Sequence, residues 1–156
     1  MRRQDLAVTD PNEIDAIIRS CDCCRLGFAD EGKVYIVPLN FGYDNTDGRR
    51  VLYFHGASEG RKLDLIKKYG CAGFEMDTNH KLNTDEVACD HSYRYKSVMG
   101  DGAISLITDR DAKAAAIQII MTQYTGKSDW AFNENVLTKT AVFKLEVQDL
   151  TARAHK

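Results

Sequence analysis

The chain has 156 residues, of which 44% are hydrophobic and 28% charged, with a formal net charge of −2. That suits one domain, residues 1–156, with room for a real core, and it gives no strong field for nucleic acid or an anionic membrane. No apolar run reaches the roughly 18 residues of a membrane span, no apolar stretch follows the basic start at Arg2 and Arg3 to make a secretory signal, and the five cysteines, an odd number, read as free thiols in a reducing cytoplasm.

Asp10-Pro11-Asn12-Glu13 offers an N-cap, a proline at the first helical position and a carboxylate at the third. Ile14, Ile17 and Ile18 then share one helical face. At Cys24, Leu26 and Phe28 the period changes to two, which predicts a strand. Asp30-Glu31-Gly32 is a turn, and Val34 to Phe41 is a β-branched and aromatic run that completes a hairpin. Asp44 to Gly48 reads as a loop and Arg50 to His55 as a third strand. Ser58 is the expected cap of a helix ending at Tyr69, with Gly70 as its C-terminal glycine. Cys71 to Met76 predicts a short strand, and Thr78 to Asp90 is polar without a period, hence a loop. Tyr93 to Met99 alternates, Gly100-Asp101-Gly102 breaks or bulges the strand, and Ala103 to Ile107 resumes it. Thr108 and Asp111 suggest a capping box for an alanine-rich helix to about Tyr124. Thr140 to Leu150 is the last strand. Strands joined mostly by short turns, with helices before and between them, point to an antiparallel barrel with outer helices.

Three stretches carry chemistry. In Val51 to Lys62 a strand delivers His55 to its end, small residues follow, and a helix opens with Arg61 and Lys62. Two cations at a helix N-terminus oppose the macrodipole unless an anion sits between them, so a phosphate site competes with a solvated Arg-Lys pair. In Val37-Pro38-Leu39-Asn40 the proline removes a ladder donor and marks an edge or bulge. Its open backbone could meet a planar heterocycle, against the simpler reading of an edge strand with core-facing side chains. In Tyr93 to Gly102, Tyr95 and Ser97 share a face and can hydrogen-bond a ligand, against a plain amphipathic strand. Cys21 and Cys24 form a C-x-x-C that Cys89 and His91 could complete as a zinc site, and the same thiols could do redox chemistry. The stronger reading puts Cys21 on the apolar face of the first helix and Cys24 in strand alternation, with no metal. No dinucleotide-binding or P-loop glycine pattern occurs.

Met1-Arg2-Arg3, Cys24 to Gly27, Tyr35 to Tyr43, Tyr53 to Ala57, Glu59 to Lys62 and Ser97 to Gly102 together resemble the pyridoxamine 5′-phosphate oxidase-like FMN-binding family, in its nitroimidazole-resistance branch. The likeness runs to about Thr125, and the last strand also fits. The resemblance implies a mainly β fold with flanking helices, a six-stranded antiparallel split β-barrel, forming a homodimer with FMN near the subunit interface. By position, Arg61 and Lys62 would hold the FMN phosphate with His55 and Ser97 nearby. Val37, Pro38, Leu39 and Asn40 would line the flavin ring through their backbone. His55 matches a histidine treated as functional in that branch, and an imidazole can supply a proton at neutral pH. The implied activity is FMN-dependent reduction of a small molecule, a nitroimidazole or other nitroaromatic, with electrons from a nicotinamide donor that docks transiently. The alternatives are a non-catalytic flavin- or haem-binding protein on the same fold and a pyridoxamine 5′-phosphate oxidase, for which a second phosphate clamp is missing. Thr151-Ala152-Arg153 departs from the Thr-Gly-Lys expected of the branch.

Overall fold

The computed structural model describes residues 4–155; the Met1-Arg2-Arg3 opening lies outside them. After a single 3-10 turn at Gln4–Leu6, the strands are β1 (Ala7–Val8), β2 (Cys24–Asp30), β3 (Lys33–Leu39), β4 (Gly42–Thr46), β5 (Arg49–Ala57), β6 (Cys71–Asn83), β7 (Ser92–Ile107) and β8 (Thr140–His155). The helices are α1 (Pro11–Ser20), α2 (Arg61–Tyr69), α3 (Arg110–Thr125) and α4 (Glu134–Lys139). The sheet runs β3-β2-β6-β7-β8-β5-β4, with β1 also on β8, and its pairings are antiparallel. It is the expected mainly β antiparallel architecture with flanking helices, consistent with a split barrel, built as an open sheet of eight strands where six were expected.

The inward faces of the strands meet in one core. Leu26, Phe41, Leu52, Phe54, Phe143 and Leu145 are fully buried, and the Phe54 and Phe143 rings stack at 5.4 Å. Helix α1 starts as expected: the Asp10 carboxylate accepts from the Asn12 amide at 3.1 Å, and Ile14, Ile17 and Ile18 are buried. It is tied to the β4–β5 hairpin through Asp15, whose carboxylate accepts from Tyr43 Oη at 2.8 Å, Asn45 Nδ2 at 2.7 Å and Arg50 Nε at 2.9 Å. Burial alone would raise the Asp15 pKa, but these three donors outweigh it and hold the carboxyl below its ordinary value. Helix α3 lies so close to β4 that a Cβ on Gly42 would fall 2.5 Å from the Ile120 amide nitrogen.

Several expectations are corrected. The loop at Asp44 to Gly48 is mostly strand β4, and the turn is confined to Asp47 and Gly48, both at positive φ. An Asp-Gly pair is the signature of a two-residue hairpin. The polar segment from Thr78 continues β6 to Asn83 and pairs with the start of β7, forming an arm. Its residues are largely exposed, so no hydrophobic alternation marks it as strand. Asp109, and not Thr108, caps α3, because its side chain reaches the Ala112 amide at 2.9 Å. Strand β8 runs past Leu150 to His155, where Ala152 is buried between Val98 and Val8. The departure at Thr151-Ala152-Arg153 therefore sits in a strand interior. His155 accordingly is half-buried, its ring bonded to the Tyr93 carbonyl at 2.7 Å. Cys21 and Cys24 are buried, and burial pushes the Cys21 thiol up to about 12 and Cys24 higher still. Both stay protonated at neutral pH, while Cys89 and His91 lie on the exposed arm.

Candidate functional site

Strand β3 ends the sheet, so one of its edges is unpaired among the described strands. Val37 and Leu39 pack inward on the core, while Pro38 and Asn40 face out. Strand β4 stops pairing with β5 at Tyr53, so beyond it Phe54 to Ala57 has only β8 beside it. His55 lies in that stretch, opposite Val142, and is exposed.

The turn after β5 leads into α2. Its N-cap is Gly60, not Ser58, at φ 125°, a value side-chain-bearing residues rarely adopt. No side chain caps this helix. The Leu63 and Asp64 amides bond back to the Gly60 carbonyl at 2.9 and 3.3 Å, which leaves the Arg61 and Lys62 amides ahead of them without an intrahelical acceptor. Lys62 is half-buried and folds over β5 so closely that a Cβ on Gly56 would lie 2.8 Å from its Nζ. The Arg61 guanidinium stacks 4.7 Å above the Tyr35 ring centroid and stands 3.7 Å from the Asp30 carboxylate. Asp30 is itself fixed by Tyr69 Oη at 2.8 Å and Lys68 Nζ at 3.1 Å, and these contacts lower its pKa.

An uncapped helix start with two cations offers donors and positive charge to an anion. From Tyr35, under Arg61, β3 runs five residues to Asn40, roughly 17 Å of open edge. The cationic end is brought to β3 through Arg61 and Tyr35 and to the end of β5 through Lys62 and Gly56, the residue after His55. Tyr95 and Ser97 are not brought there: Ser97 is buried between Asp77 and Arg153, and Tyr95 leans on His155 at 6.1 Å. The end of β7 next to α2, at Leu106, is nine residues on from Ser97, roughly 30 Å of strand. Tyr35 and Asp30, which hold Arg61, were not singled out from the sequence, where Tyr35 is one more aromatic in a strand.

The outer sheet face carries an open groove of about 830 Å³, floored by Gly27, Gly73 and Gly100 and walled by Ile36, Phe74 and Met99. Beside it Val34 and Ile36 are 72% and 63% exposed, far more than aliphatic strand residues usually are. Interior-strand glycines such as Gly27 and Gly73 were the available sequence signal for a close approach here.

The model of the pyridoxamine 5′-phosphate oxidase family matches residues 10–154. The chain belongs to this family. A solved structure of a candidate 5-nitroimidazole antibiotic resistance protein from Bacteroides thetaiotaomicron VPI-5482 is 31% identical at a TM-score of 0.82, covering 97% of this chain and 90% of that one. The flavocytochrome Anf3 from Azotobacter vinelandii shares the fold at a TM-score of 0.81 and 20% identity, covering 100% of this chain and 72% of its own. A FAD and heme binding protein from Mycobacterium smegmatis does so at 0.82 and 16%, covering 96% and 73%. The comparison with curated proteins gives no match. Among the described residues no helix is long and apolar enough to cross a membrane.

Proposed function

We propose that this member of the pyridoxamine 5′-phosphate oxidase family is an FMN-dependent oxidoreductase that reduces a small nitroaromatic, such as a nitroimidazole, with electrons from a transient nicotinamide donor. The observation that carries the reading is the uncapped start of α2 with Arg61 and Lys62 against the open edge of β3. The residues fit the phosphate end of FMN. Arg61 and Lys62 offer charge-assisted hydrogen bonds, their amides point from the positive end of the helix, and Tyr35 with Asp30 holds the guanidinium in place. Val37 to Asn40 would meet the ring system along the β3 edge. FMN would supply the electron transfer, while the protein orients it and sets its surroundings.

His55 would stand at the junction of strand edge and phosphate turn. Nitro-group reduction consumes protons as well as electrons, and an exposed imidazole there can deliver one. The resistance-protein relative at 31% identity supports the substrate class, and the flavin-binding structures of the same fold support a flavin. The free thiols suit a cytoplasmic setting.

A homodimer is part of the proposal. The glycine-floored groove, with Val34, Ile36 and Met99 exposed at it and Arg25, Glu75, Asp101 and Asp149 also in its lining, is a face with apolar residues of the kind a partner covers. A second copy would also shield the β3 edge. Two measurements test the function. The absorbance spectrum of freshly purified protein should show flavin and no haem, and flavin-loaded protein should turn over a nitroimidazole steadily with a reduced nicotinamide. Flavin binding without turnover would leave a binding protein; no flavin binding would refute the reading.

A further inference from the structure

Helix α2 has a second cationic flank. With 3.6 residues per turn, Leu63 and Lys67 fall on the face opposite Arg61. There, α2 meets the end of β7, the start of α3 and the α4–β8 junction around a cavity of about 230 Å³. Two lysines line it, Lys67 and Lys113, together with the hydroxyl residues Ser58, Thr108, Thr138 and Thr140, and no acidic residue lines it.

Lys113 is the anomaly. It is only 9% exposed, and lysine is almost never buried without a partner. Its Nζ makes one long hydrogen bond, 3.4 Å to the Thr138 carbonyl. Among the described residues neither Lys113 nor Lys67 enters an ion pair. An ammonium has three donors, and a buried charge left without a counter-charge is costly. Capping the end of the six-residue α4 accounts for the one bond, and the Thr138 and Thr140 hydroxyls donate to the Glu134 and Val136 carbonyls at 2.8 Å, but neither accounts for the second lysine or for Ser58 and Thr108 lining the same space. An anion with several acceptor oxygens would satisfy the two lysines and the Ser58 and Thr108 hydroxyls.

We propose that this cavity is a second anion site, separate from the Arg61–Lys62 end, that binds a phosphate group. The group can arrive as inorganic phosphate or as a small phosphomonoester, which share the oxygens that the lysines and the Ser58 and Thr108 hydroxyls would bind. The site stands whether or not the chain binds flavin, so its test uses the wild-type full chain and the Arg61→Ala/Lys62→Ala variant in parallel. Inorganic phosphate and glycerol 3-phosphate are titrated into each while backbone amide shifts are followed by NMR. Saturable shifts at Thr108, Lys113 and Thr138 to Thr140 are expected in both proteins. Lys113→Met should weaken binding at least ten-fold, and Lys67→Met, at an exposed position that does not endanger folding, at least three-fold. Tighter binding of the ester assigns the site to a phosphorylated metabolite, and tighter binding of phosphate to the free ion. Shifts confined to Gly60 to Lys62, affinity unchanged in both lysine variants, or no saturable shift would overturn the proposal.

Discussion

Arg61 and Lys62 differ in how they are held, and their substitutions should differ too. Arg61 is oriented by a stacked ring and a carboxylate, so its planar fork can be presented to two phosphate oxygens. Lys62 is a point charge on a stem folded over Gly56. A hydrogen bond to a charged group contributes about 1.5–3 kcal/mol, so Arg61→Ala and Lys62→Ala should each weaken FMN binding by about ten-fold to a hundred-fold. Arg61→Lys should recover little of the loss, since a lysine cannot reproduce a bidentate contact. Titration of the apoprotein measures all three. His55 is tested by rate and not by affinity. His55→Gln should keep FMN affinity within a few-fold yet slow substrate-driven reoxidation of the reduced flavin by about 10²–10⁴. Stopped-flow mixing of pre-reduced variant with a nitroimidazole measures this, and a normal rate removes His55 from the chemistry.

The elements are joined by a few polar and close contacts that carry their own tests. Asp15 links α1 to the β4–β5 hairpin through three donors, and its pKa is lowered in the fold. Its contribution is therefore complete above the ordinary carboxylate pKa of about 4 and is lost as pH falls through the lower folded value. Asp15→Asn should cost about 2–3 kcal/mol at pH 7, and the gap to wild type should narrow below about pH 4 in denaturant melts. Gly42→Ala should cost about 1–3 kcal/mol, because its methyl group would push α3 off β4. What could be read in advance follows the same physics. Helices α1 and α2 and the core alternation of β2 and β5 were legible because Pro11 and Gly70 punctuate the chain and one face of each element is buried. The arm from Thr78 and the extension of β8 past Leu150 were not. The arm lies largely in solvent, and a bulge at Asp101–Gly102 interrupts the ladder that β8 follows. Among the site residues, Arg61, Lys62 and the Val37–Asn40 edge stood out because each breaks a local rule. Asp30 and Tyr35 break none, and their place appears only once the Arg61 guanidinium is seen stacked on Tyr35 and beside Asp30.

At the scale of the molecule, the residues singled out from the sequence fall into two separate groups. The cationic end lies over Tyr35 of β3 and beside Gly56 of β5, whereas Tyr95 and Ser97 stand at the far end of β7. If the chain dimerises through the glycine-floored face, FMN should stabilise the dimer by linkage. Sedimentation across micromolar concentrations should show dimer, tightened by FMN; a monomer with full flavin occupancy would refute that assembly. The central claim is that the start of α2 holds the flavin by its phosphate, and its most direct measurement is a comparison of FMN with riboflavin, which lacks the phosphate. In isothermal titration the wild-type apoprotein should bind FMN at least a hundred-fold more tightly than riboflavin, and the Arg61→Ala/Lys62→Ala variant should bind both with similar weak affinity. Equal affinity of the wild type for the two flavins, or an undiminished preference for FMN in the variant, would contradict the account.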